Sequence, residues 1–271
     1  FRFQNSASLH SVLSARSALN FFWKLNCATI SPTESNFMSL FIKGLSRKYK
    51  NVPKKAFPIS YEDLTLIFSQ ILGDSSLESL SFVNLRFISF ILTLYSSFGR
   101  YEEVSQLKIS DVKKEEAGFI LTFNKGKSYQ YGESNIGVVS NLPGLLFNPS
   151  RVLSIYIDKV AFLHANSDSP SDYLFPACRY FGRVEHSLDK PVSYEVILKQ
   201  FKLSVSEAKV EVGLSKVGLH CMRRGGVTHA VRAGAPHSVV KKCMRVKSDG
   251  MVGYYATLTG NELNEASKLA F

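Results

Sequence analysis

The sequence predicts an α+β protein that is mostly α-helical, with one small antiparallel β-sheet and a short helical piece ahead of the main domain. Three observations carry that prediction. Apolar residues recur at helical spacing along most of the chain. Residues 117–141 break that rhythm with short β-rich runs around a glycine turn. A basic run interrupted by Pro53, at residues 47–55, separates the first helices from the rest of the chain.

The elements run in order along the chain. Over residues 7–25, Leu9, Val12, Leu13, Ala18, Phe21 and Phe22 fall on one face of a helix. Ser31-Pro32-Thr33-Glu34 is a helix start, with Pro at an early position and an acid in the first turn, and this second helix is expected to end near Ser46. A linker is expected at residues 51–59, so that 1–50 close one helical domain and 60–271 form another. Ser60-Tyr61-Glu62-Asp63 reads as a capping box opening a helix through Leu64, Ile67, Phe68 and Ile71. A longer helix is expected over 77–98. Its most apolar stretch, 87–98, is too short to cross a bilayer and reads as buried. Strands are expected at 119–123 and 136–139, either side of a turn at Gly126. Helical spacing then returns over 150–164, 194–203, 220–233, 238–244 and 250–255.

Composition narrows the partners. The 271 residues carry a net charge of +11, more than solubility requires, which favours a polyanionic partner. Cys27, Cys178, Cys221 and Cys243 are scattered without a C-x-x-C pair, so they read as reduced thiols of an intracellular protein, with neither a disulfide frame nor a zinc site. No secretory signal or membrane span is expected, and a chain starting at Phe1 is expected to be part of something longer.

The candidate chemistry lies in residues separated along the chain. Arg100 follows the buried helix, with Glu103 one turn on to hold its guanidinium. Lys125 and Lys127 sit at the turn between the strands, and either is able to serve as an acid there. His220 and Arg223, three apart, share a helix face. Tyr254 and Tyr255 come further on. Cleaving a phosphodiester without a metal needs this kind of set. Arg neutralises nonbridging oxygens through its planar fork. A nucleophile must lose a proton and a leaving oxygen must gain one. At pH 7 only about one tyrosine in a thousand is ionised, and closing that gap costs roughly 4 kcal/mol, which nearby cations or a base must offset.

Taken together, Gly99-Arg100-Tyr101-Glu102-Glu103, the Lys125-Gly126-Lys127 turn, the stretch from His220 through Arg223-Arg224-Gly225-Gly226 to Thr228-His229, and residues 246–256 resemble the tyrosine recombinase (phage integrase) family. The resemblance covers residues 55–271, and residues 1–50 resemble the end of that family's helical core-binding domain. It implies a site-specific DNA recombinase or integrase that cuts and rejoins DNA through a 3′-phosphotyrosyl link, with no cofactor and no metal. Arg100 and Arg223 would clamp the phosphate, Lys125 would protonate the leaving 5′-oxygen, His220 would assist proton transfer, and Tyr255 would attack. Tyr255 is preferred to Tyr254 because it lies nine residues after Val246, the commoner family spacing. The family carries His or Trp where this chain has Val246, and losing that donor implies a tenfold to thousandfold cost by analogy with oxyanion donors.

Duplex DNA is the implied partner, with Lys54, Lys55, Lys127, Arg224, Lys241, Lys242, Arg245 and Lys247 as expected phosphate contacts. An apolar stripe in 258–271 implies a tail docking on a neighbouring protomer, hence a dimer to tetramer on DNA. The expected location is the nucleus for a eukaryotic source and the cytoplasm for a bacterial or phage one. Two other readings stand beside this one: a domesticated recombinase that binds DNA without cutting it, favoured by Val246, and a type IB topoisomerase.

Overall fold

A computed structural model describes residues 9–26, 31–48, 56–124, 135–165, 171–181, 184–212, 216–248 and 250–256. Contacts divide the chain into two units, Phe1–Lys54 and Lys55–Phe271. Among the described residues, no helix is long and apolar enough to cross a membrane.

The first unit holds α1 (Leu9–Leu25), a single 3-10 turn (Pro32–Glu34) and α2 (Asn36–Lys48). The turn is pinned to α1 by side chains: Arg16 Nε donates to Thr33 O at 2.9 Å, and Ser31 Oγ donates to Asn20 Oδ1 at 2.7 Å. Ser31 Oγ also accepts from Thr33 N–H, so the sequence's serine start and early proline are both used.

The second unit contains α3 (Tyr61–Leu72), α4 (Phe82–Ser96), α5 (Tyr101–Ser105), β1 (Val112–Glu115), β2 (Gly118–Phe123), β3 (Asn135–Ser140), α6 (Pro149–Ala165), β4 (Pro176–Phe181), β5 (Val184–Pro191), α7 (Tyr194–Glu207), α8 (His220–Arg232), α9 (His237–Met244) and α10 (Gly250–Tyr255). The expected capping box opens α3, with Asp63 N–H on Ser60 Oγ at 3.0 Å and Ser60 N–H on Asp63 Oδ2 at 2.9 Å. Strands β1, β2 and β3 form an antiparallel sheet in that order, and β4 and β5 pair as a separate antiparallel hairpin.

Helix α4 is the axis of the core. Its residues are buried on every side from Leu85 to Tyr95, matching a mostly apolar run in which Arg86, Ser89 and Thr93 are buried as well. Phe90 meets Phe175 edge-on at 5.0 Å, and Tyr156 of α6 stacks on Phe175 at 5.2 Å. Helix α8 crosses α4 at close range because it presents two glycines there. A Cβ on Gly225 would lie 1.8 Å from Ile59 O, and one on Gly226 would lie 2.3 Å from Tyr95 O. Only hydrogen fits at either position.

Three expectations need correction. The helix expected over 77–98 begins at Phe82, because Ser81 Oγ accepts the Asn84 N–H and the residues before it form a turn. Among the described residues there are two sheets instead of one, because β4 and β5 pair as a second; within the first sheet β1 is unforeseen, being too short and charged to show alternation. The end of the expected 51–59 linker packs with the second unit: Phe57 N–H bonds Lys216 O at 3.0 Å, Ala56 bridges Lys216, and Ile59 is buried. The tail stripe at 258–271 lies outside the described residues.

Candidate active site

The site begins where α4 ends. Phe98 takes a left-handed conformation (φ 49), which turns the chain sharply through Gly99 and sets Arg100 at the start of α5. Such a conformation costs a non-glycine residue roughly 1–2 kcal/mol, so its surroundings must hold it. Glu103, one turn on, supplies part of that hold. Its Oε2 accepts the Arg100 N–H at 2.9 Å and its Oε1 pairs with the Arg100 guanidinium. Glu103 is buried, whereas the Arg100 side chain keeps 21% of its surface accessible. Arg100 is thus tethered at one end and open at the other.

Helix α8 brings His220 and Arg223 to the same place, on the one-turn spacing seen in the sequence. Arg223 is completely buried. Nη1 donates to Phe98 O at 2.5 Å and Nη2 to Met244 O at 2.6 Å, while Nε is buried without a partner among the described residues. The Tyr255 ring lies over this guanidinium, 5.2 Å from Cζ to the ring centroid. Tyr254 is 48% exposed and meets Tyr255 edge-on, so Tyr255 is the one that faces the arginine. Val246 packs in a small apolar cluster built on Val227, Val240, Met244 and Val252, with Phe98 and Tyr255 against it.

Two expected DNA contacts turn out to be interior. Arg245 closes α9 in a left-handed conformation (φ 55) that swings its side chain inward. Its guanidinium pairs with Glu103 Oε2 at 2.9 Å, donates to Cys243 O, Ser97 O and Phe98 O, and lies 4.5 Å from the Phe123 ring centroid. Arg224 is only 5% exposed. Lys242 and Lys247 are exposed and Lys241 half-buried, whereas Lys54, Lys55, Lys125 and Lys127 lie outside the described residues. Sequence reasoning missed the interior role of Arg245, and the only signal was an arginine closing a helix where a glycine is the usual terminator.

The electrostatics are those of a receptor for an anion. Among the described residues, Glu103 pairs with Arg100 and Arg245 and its charge also acts on Arg223, while the Glu102 charge opposes the lowering of His220. Burial by itself would raise the Glu103 carboxyl, but the Arg245 charge and then the Arg100 N–H and guanidinium hold it below the ordinary carboxylate range. Burial, and then the Arg100 charge, lower Arg223, which still stays protonated at neutral pH. His220 is accessible to solvent, yet lost solvation and the Arg223 charge push its imidazole below 6.5, which keeps it neutral and able to accept a proton at pH 7. Burial likewise lowers Arg224.

Comparison with known proteins shows the family and the fold. The model of the phage integrase family matches residues 69–262. No curated protein sequence matches the chain. Among solved structures, the XerH site-specific recombinase bound to a palindromic difH substrate, a post-cleavage complex, is similar with a TM-score of 0.67 and 16% identity over 98% of this chain and 66% of that one. The Tn1549 transposon integrase in complex with circular intermediate DNA gives 0.60 and 14% over 98% and 81%. A lambda integrase dimer bound to a COC′ core site gives 0.59 and 14% over 94% and 61%. At such identities the likeness is one of fold, and the chain spans about two thirds of the XerH chain. With the family's model matching most of its length and its fold shared with these proteins, the chain belongs to the phage integrase family.

Proposed function

We propose that the chain is the catalytic portion of a site-specific DNA recombinase that cuts and rejoins duplex DNA through a 3′-phosphotyrosyl intermediate. The observation that supports it most is the placement of Tyr255 against Arg223 in a pocket whose arginines outnumber its carboxylate. A phosphodiester supplies the missing negative charge.

In this reading Arg100 contributes its open guanidinium edge and Arg223 its spare Nε–H to the nonbridging oxygens. Tyr255 Oη attacks phosphorus as its proton passes to neutral His220. The phosphorus–5′-oxygen bond breaks, and Lys125 supplies the proton that makes the free 5′-hydroxyl. A 5′-hydroxyl from another strand reverses these steps, so the bond energy is conserved and no cofactor is called for. The ring of Tyr255 covers the Arg223 guanidinium, so α10 shifts when phosphate enters. Lys241, Lys242 and Lys247 serve as backbone contacts, and the active form is a dimer to tetramer held through residues 258–271.

The test is covalent capture on a pool of nicked duplexes with randomised sites, where loss of the short 5′ fragment traps the intermediate. The wild-type chain is expected to give a denaturant-stable adduct, and Tyr255→Phe to give none. If Tyr254→Phe abolishes the adduct and Tyr255→Phe does not, the nucleophile is misassigned. Binding without any adduct favours the second reading, a DNA-binding protein that no longer cuts, for which the apolar Val246 is the supporting feature.

A further inference from the structure

Arg245 holds a position that its surroundings make costly to fill. It sits in a left-handed backbone conformation open to glycine without strain, and it buries a full charge. Its partners explain why the position is filled this way. Nη1 reaches Ser97 O at 3.1 Å and Cys243 O at 2.7 Å, and Nη2 reaches Phe98 O at 3.2 Å and Glu103 Oε2 at 2.9 Å. One side chain thereby ties the end of α4, the start of α5 and the end of α9, with Phe123 of β2 beneath it.

Two of those partners are shared with the phosphate-facing arginines. Glu103 gives one oxygen to Arg245 and the other to the Arg100 guanidinium. The Phe98 carbonyl accepts from both Arg245 Nη2 and Arg223 Nη1. Phe98 is itself the second left-handed residue of the site, so the two strained positions are bonded to each other. The neighbour of Arg245, Val246, packs in the same cluster as Tyr255 and leads into α10.

We propose that Arg245 is a positioning residue that aligns both phosphate-binding arginines, Arg100 through Glu103 and Arg223 through the Phe98 carbonyl, and anchors the segment entering the tyrosine-bearing helix. This assignment rests on the recombinase reading for what the two arginines hold. The residue does not contact DNA itself, because its guanidinium is enclosed.

Arg245→Gly removes the side chain without backbone strain, since glycine adopts φ near +55 freely; because it also takes one partner from buried Glu103, its rate is compared with the wild type's under conditions where the circular dichroism spectra of the two proteins match. The covalent-capture rate is expected to fall about a hundredfold, the penalty typical of a misplaced catalytic group. Affinity for intact duplex should stay within about threefold, since no phosphate contact is removed. Arg245→Lys keeps the charge but loses the fork, and is expected to recover part of the rate. Among the described residues, the charged groups acting on Glu103 include Arg100 on its own helix, Arg245 after α9 and Arg223 on α8. Removing one of them lets the carboxyl protonate more easily, so the Arg245→Gly rate should decline toward acid from a higher pH than the wild-type rate. Wild-type capture together with an unimpaired Arg245→Gly rate overturns the proposal. No capture by the wild type sinks the recombinase reading instead, and alignment is then read in the free protein. The Nη–H signals of Arg100, slowed by its Glu103 pairing, should be resolved by NMR in the wild type and averaged in Arg245→Gly. An identical pattern in the two proteins rejects the assignment.

Discussion

Glu103 and Arg245 are each 1% exposed at the side chain, so their ion pair belongs to the interior. Removing one member of such a pair leaves the other charge stranded, and Glu103→Gln is expected to cost about 3–5 kcal/mol in a denaturant titration. The same pair sets an acid limit. Glu103 titrates below its ordinary value of 4.5 when folded, so the unfolded chain binds the proton more readily. Its contribution is complete above about pH 4.5 and is lost as the pH falls through the folded-state value. Stability measured from pH 6 to pH 3 should therefore drop more steeply for the wild type than for Glu103→Gln; parallel curves would assign the acid sensitivity elsewhere. Val246 bears on rate instead of stability. It touches the Tyr255 cluster but has no donor to offer, and Val246→His is expected to raise covalent capture by about tenfold or more. Motif spacing together with the resemblance to the tyrosine recombinases singled out Arg100, Glu103, His220, Arg223 and Tyr255, and the fold brings Arg100, Glu103, Arg223 and Tyr255 close to one another. The interior role of Arg245 was not legible, because an arginine among lysines reads as surface until a left-handed turn is known to point it inward.

At the scale of elements, the approach of α8 to α4 decides where His220 and Arg223 stand, and Gly225 and Gly226 decide that approach. Both obstructing atoms, Ile59 O and Tyr95 O, belong to backbone and cannot swing away as a side-chain tip would. Gly225→Ala should force α8 outward, costing about 1–3 kcal/mol by overpacking, and should drag Arg223 from Phe98 O. A melting curve and the capture rate check the two effects separately; an unchanged melting temperature would show that the helices have room to spare. The adjacent glycines were visible in the sequence, but the backbone oxygens that require them come from residues 59 and 95 and have no local signature. The strands at 119–123 and 136–139 were legible, whereas β1 was not, for a related reason. In β1, Val-Lys-Lys-Glu carries no apolar alternation of its own and is a strand only because β2 pairs with it. By contrast the α3 capping box was legible because all its partners lie within one turn.

Across the whole molecule, charge is distributed unevenly between the two units. Residues 1–54 carry eight Lys and Arg against Glu34 alone, a net +7 of the chain's +11. A catalytic site needs positive charge at one phosphate, and Arg100, Arg223 and Arg245 all belong to the large unit, whereas this excess lies in the small one. The division is understandable if grip and chemistry are separate tasks, since phosphate contacts supply affinity by releasing counterions wherever they occur on the surface. Lys43 and Arg47 test this, being exposed and one turn apart on α2. If both meet DNA phosphates, replacing them with Gln should reduce the magnitude of the slope of log affinity against log salt by about two. If grip and chemistry are separate tasks, the capture rate at saturating DNA should stay unchanged. A slope equal to that of the wild type would place the DNA away from this face of α2, and a slower capture rate with unchanged affinity would mean that the small unit takes part in the chemistry as well as the grip.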